Sequence, residues 1–107
     1  MDEFFDLLQQ HIGVVEGIGD KVERGEYYME DVRQYLPSLN QIMTVILQMT
    51  QEPEVSLELD QGFVMQVLND ILYGIEQADS VFLLDVLRYG LLEIYYYIIT
   101  ELQSEVA

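Results

Sequence analysis

The 107-residue chain is long enough to bury one hydrophobic core and too short for two, so one domain spanning 1–107 is expected. Half of its residues are hydrophobic, which excludes a chain too polar to fold, yet twenty acids face four bases for a formal net charge of -16. Lys21, Arg24, Arg33 and Arg88 form no basic stripe, which excludes nucleic acid and anionic membranes as partners and leaves basic proteins as the attracted class.

In chain order, the first helical signal runs from about Asp2 to Glu23. Phe4, Phe5, Leu8, Ile12, Val15, Ile18 and Val22 recur at three- and four-residue spacing, which marks one face of a helix. Asp2, Glu3 and Asp6 suit its positive end, and Lys21 and Arg24 its negative end. Gly13, Gly17 and Gly19 weaken it and point to a kink or a close helix contact. Gly25 suits the left-handed conformation that ends helices.

A second segment runs to about Thr50, with Tyr28, Val32, Tyr35, Leu36, Leu39, Ile42, Met43, Ile46 and Leu47 on its apolar side. Pro37 lacks an N–H and its ring clashes with the carbonyl four residues back, so this helix is expected to kink or break at Leu36–Ser38, with one kinked helix favoured because the apolar spacing continues in phase on both sides. Gln51 to Ser56, with Pro53, reads as the longest loop and the best candidate for mobility. The third helix starts between Leu57 and Asp60 and carries Phe63, Val64, Val67, Leu68, Ile71, Leu72 and Ile75 to about Gln77. Asp79 or Ser80 then caps the last helix, about Val81 to Ser104.

On a wheel of that last helix, Gly90, Glu93, Thr100, Glu101 and Ser104 share one sector and apolar residues fill most of the rest. Tyr95, Tyr96 and Tyr97 cannot face one way. The helix is therefore central in the molecule or shared between two subunits. Asp85, Arg88 and Glu93 interrupt its apolar run, which argues against a membrane span. The expected fold is all-α, an antiparallel four-helix bundle with the second helix kinked or broken at Pro37.

The stretch Asn69 to Ile94, with Asp70-Ile71-Leu72, Glu76, Asp79, Leu83 to Asp85, Leu87 and Tyr89, follows a helical half that has a glycine near residue 25. In these residues the chain resembles small acidic helical proteins of Firmicutes bacteria. It departs from them around Tyr89, where Arg88 and Gly90 stand in place of an acidic neighbour. The resemblance implies a bacterial source and a helical fold; it brings no activity, cofactor or site residue.

Chemistry-bearing residues are few. With no cysteine there is no disulfide or thiolate site, and the opening MDEFFDLLQQ lacks the basic, then apolar, pattern of a signal peptide, so a cytoplasmic location is expected. His11 is the sole histidine, too few for a helical-bundle metal site or a nucleophilic triad, and reads as a helix-surface or boundary residue. Glu16, Asp20 and Glu23, Asp2 with Asp6, and Glu26 with Glu30 share helical faces and read as solvated acidic surface, since hard cations need ligands converging from a loop or several helices. No catalytic residue, metal ligand or cofactor is expected.

Asp85 and Arg88 can pair with each other, or Arg88 with Asp70 or Glu76, as a boundary salt bridge or as a polar anchor in an interface. The tyrosines carry the strongest functional signal, because flat amphipathic rings are enriched at protein contacts. The candidate interface is Asp85, Arg88, Tyr89, Leu92, Tyr95, Tyr96 and Ile99. The expected function is protein binding by a non-catalytic acidic adaptor or chaperone-like module, with a homodimer through the last helix as one assembly. The alternatives are an acidic nucleic-acid mimic that inhibits a basic protein, which needs a continuous carboxylate stripe, and a cation-binding or enzymatic bundle, which needs an enclosed polar pocket.

Overall fold

The computed structural model describes residues 2–52 and 57–106, with the side chains of 3–52 and 57–103. In order it holds α1 (Asp2–Glu23), α2 (Met29–Gln51), α3 (Gln61–Glu76), α4 (Ser80–Val86), a π-helical segment (Leu87–Leu91) and α5 (Leu92–Val106). The last three run on without interruption as one rod, so the molecule is an all-α compact domain of four helical rods, with no strand among the described residues.

The helix ends follow from local chemistry. After α1, the Gly25 amide donates to the Val22 carbonyl and the Glu26 amide to that of Lys21, with Gly25 at φ +73. This double return satisfies carbonyls that the helix leaves open, and its left-handed position suits a residue without a Cβ. The same motif ends α3, where Ala78 donates to Ile75 and Asp79 to Gly74, but the left-handed residue is Ala78 at φ 51. Asp79 also starts α4, its carboxylate accepting from the Phe82 amide at 3.1 Å. Of the two predicted caps Asp79 is the one used. Asp60 caps α3 in the same way through Gly62.

Helical backbone runs through Pro37 without a break, as the favoured single helix requires, and the alternative of a break at Leu36–Ser38 does not occur. Val32, Tyr35, Leu39, Ile42, Met43 and Ile46 on both sides of the proline are buried along one face, and that packing outweighs one missing hydrogen bond. The predicted loop Gln51–Ser56 starts with the last residue of α2 and its C-cap Glu52, while 53–56 lie outside the described residues.

Cross-chain contacts give the rods their relative directions. His11 meets Tyr35 while Lys21 meets Asp31, so α1 and α2 run oppositely. Glu23 meets Arg88 while Glu16 meets Tyr96, so the last rod also runs against α1. A Cβ at Gly74 would touch Leu83 and one at Gly90 would touch Val67, which sets α3 against the same rod. The last rod thus lies between α1 and α3. Leu83, Leu87, Leu91, Tyr95 and Ile99, all at four-residue spacing, are buried.

That spacing explains the π segment. Residues four apart advance about 400° on an α-helix, so a strict four-residue series drifts about 40° per step away from a fixed neighbour. A wider turn at Leu87–Leu91 absorbs the drift. It places Tyr95 and Leu102 inside and leaves Glu101 only partly buried. It also corrects the wheel reading of Gly90, which is buried against Val67 and does not share an outer face with Glu93 and Thr100.

Candidate functional site

Among the described residues the core holds one polar cluster, and it joins three helices. His11 on α1 lies with Nδ1 2.6 Å from the Tyr35 hydroxyl on α2, and that hydroxyl is 2.8 Å from the Tyr95 hydroxyl on α5. His11 is buried, which overturns its reading as a surface or boundary residue. It falls on the inward stripe of α1, one turn from Leu8 and Val15, because α2 and α5 both offer a hydroxyl partner there. Both tyrosine rings meet the imidazole edge-on, with centroids at 5.4 and 5.9 Å.

The direction of the chain follows from finding an acceptor for both hydroxyl protons. If Tyr95 donates to Tyr35 and Tyr35 donates to Nδ1, both hydroxyl protons have acceptors and His11 is neutral with its hydrogen on Nε2. The opposite direction leaves the Tyr95 proton in an apolar core, where that side chain has no exposed surface. Burial lowers the His11 pKa from its ordinary value and pushes Tyr35 up to about 12 against the opposing effect of the Tyr95 hydrogen bond. Tyr95 is raised by burial and then by Tyr35. All three are neutral near pH 7, and the cluster is a core fastening with its polar atoms satisfied.

The seam between α1 and the last rod is acidic on one side. Arg88 donates to Glu23 at 2.6 Å and lies 3.5 Å from Asp20, while the Tyr96 hydroxyl donates to Glu16. Arg88 therefore pairs with neither Asp85 nor Asp70 nor Glu76. It crosses beside Gly19, where an added Cβ would make ordinary van der Waals contact at 3.6 Å from Arg88 Nε. The Arg88 guanidinium lowers the Glu23 pKa through its hydrogen bond, and the Glu16 carboxylate raises that of Tyr96. The predicted acidic face Glu16, Asp20 and Glu23 thus has each member engaged with the last rod.

The candidate interface divides. Leu92, Tyr95 and Ile99 are buried in the chain's own core and present nothing to a partner. The last rod is central, between α1 and α3, which is why its apolar surface exceeds what one neighbour needs. Arg88 and Tyr96 are tied to α1, and Asp85 and Tyr89 are exposed. Tyr97 is half-buried and accepts from the Glu58 amide at 2.7 Å, so the three consecutive tyrosines do point three ways.

Sequence reasoning named Tyr89 but missed the rest of the aromatic edge beside the α3–α4 hairpin, Tyr73, Val81 and Phe82. Tyr73 and Phe82 meet edge-on at 5.5 Å, and Tyr73 is 54% exposed, Val81 72% and Tyr89 73%. The signal was available: Tyr73 lies off the inward stripe of Val64, Val67 and Ile71, and Phe82 lies one residue before Leu83. A second surface feature is a groove of about 420 Å³ between α1 and α2, bordered by Gly13, Gly17, Tyr35, Ser38 and the Lys21–Asp31 pair. It carries a single carboxylate, that of Asp31, and Lys21 holds it at 2.9 Å.

Among the described residues no group of three or more His, Asp or Glu side chains is placed to hold a metal ion. No helix among them is long and apolar enough to cross a membrane. No family model matches the chain, and no curated protein or solved structure matches it.

Proposed function

We propose that this chain is a non-catalytic protein-binding module, an acidic antiparallel four-helix bundle whose contact surface is the aromatic edge formed by Tyr73, Val81, Phe82 and Tyr89. The observation that carries the reading is the exposure of Tyr73 on α3 and of Val81 and Tyr89 on the last rod, with the partly buried Phe82 against Tyr73, although the core has already buried its own apolar surface. Tyr73 braced against Phe82 is a rigid amphipathic contact that loses little conformational freedom on binding. With a net charge of -16, a second copy is repelled and a basic partner is drawn in, so a basic protein is the better occupant.

The test uses a synthetic basic amphipathic helix as probe, with affinity measured at low and moderate salt for the wild type and a Tyr73→Ser/Tyr89→Ser variant. Light scattering over a dilution series runs alongside. Binding that weakens with salt and also falls roughly tenfold or more in the folded variant supports the reading. Equal affinity in both proteins reduces the attraction to bulk charge and overturns the aromatic edge. A dimer that the variant disperses replaces the basic partner with a second copy.

A further inference from the structure

The His11–Tyr35–Tyr95 chain lies away from the aromatic edge and has a property that the binding reading does not use. It is the polar link among α1, α2 and α5, and its satisfaction depends on which way its protons point. The titratable side chains facing the imidazole are Tyr35 from α2 and Tyr95 from α5. Its own helix offers Leu7, Leu8, Val14 and Val15 one turn away. No carboxylate, lysine or arginine among the described residues bonds to it, so no nearby charge would welcome a proton.

We propose that this chain is an acid-sensitive clasp: proton uptake at His11 Nδ1 reverses its hydrogen bonds, leaves one buried hydroxyl proton without an acceptor, and loosens α5 from α1 and α2. Once Nδ1 carries a proton it must donate to the Tyr35 oxygen. Tyr35 then turns its own proton to Tyr95, whose fully buried hydroxyl bonds to Tyr35 alone among the described residues and so has no acceptor left for its proton. A buried donor without a partner is among the more expensive defects a core can hold. The imidazolium itself is also poorly solvated there.

The linkage has a definite sign. His11 binds a proton more weakly folded than unfolded, so its contribution to stability is complete above the unfolded pKa near 6.5 and is lost as pH falls through the lower folded value. Because the chain has a single histidine, its ring resonances need no separation from others.

The experiment follows the His11 ring by NMR and the amide exchange of α5 relative to α3 across the same pH range, in the wild type and in His11→Asn. Asparagine places an acceptor near the Nδ1 position and does not titrate. The expected result is a His11 midpoint below 6.5 and α5 opening that rises about tenfold relative to α3 across that midpoint, with no such rise in the variant. A flat ratio through the His11 titration overturns the clasp, as does an ordinary His11 midpoint or an equal rise in His11→Asn. Should the variant fail to fold, the coincidence of the two wild-type curves decides.

Discussion

Glycine-to-alanine substitution should change sign from place to place in this molecule, and the structure gives the sizes. At Gly13 and Gly17 an added Cβ meets nothing within 4 Å, and both residues lie inside α1. Alanine there gains helix propensity of about 1 kcal/mol per site and disturbs no neighbour. Unfolding entropy near 2.1 cal/mol/K per residue gives a chain of this length about 0.2 kcal/mol/K, so each substitution should raise Tm by about 4–5 °C. The double variant should gain roughly twice that, since two alanines in open space share no partner.

At Gly74 the same Cβ would lie 3.3 Å from Leu83 Cβ and 3.4 Å from its Cα, and at Gly90 it would lie 3.2 Å from Val67 Cγ2. One obstacle is backbone and the other a buried β-branched side chain with little freedom to turn. Overpacking of about 1–3 kcal/mol should exceed the propensity gain, so both variants should lose Tm. Thermal unfolding followed by far-ultraviolet circular dichroism, with the four single variants in one buffer, reads all of this. Stabilisation at Gly74 would refute the close approach of α3 and α4, and destabilisation at Gly13 would place something in the groove beside α1.

The remaining predictions use the same assay. Ala78→Gly should stabilise by roughly 0.5–1 kcal/mol, because Ala78 holds a left-handed conformation at φ 51 that glycine adopts without a Cβ penalty; no gain would mean that the turn has a different backbone. Pro37→Ala should stabilise by about 1–3 kcal/mol, since α2 runs unbroken through that exposed position and regains a hydrogen bond; a loss would restore the interrupted helix. Raising salt from about 20 to about 200 mM should raise Tm by screening the repulsion within a chain of net charge -16, and a fall would show that ion pairs such as Arg88–Glu23 outweigh it.

Much of the candidate site was hidden from the sequence for one reason. Tyr73 and Phe82 look no different in a sequence from aromatic residues that close a core, and Tyr95 looks like Tyr96. What separates them is the angle at which each leaves its helix, and beyond Leu87 that angle depends on the π segment. A four-residue series of Leu83, Leu87, Leu91, Tyr95 and Ile99 marked the place, but a wheel at a constant 100° per residue could not register it. The partner of Arg88 was missed similarly, because residues on α3 are nearer in the chain than Glu23, while α1 is nearer in space.

The sequence by itself determined what is local. The four helical stretches, the stop at Gly25 and the cap at Asp79 follow from residues within a few positions of one another, so they could be read directly. The charge followed from composition alone. Tertiary structure decided the rest: that His11 turns inward to meet two hydroxyls, and that the last rod lies in the middle. Each of these depends on free energy shared with a helix distant in sequence, where burial against the neighbour outweighs the local preference.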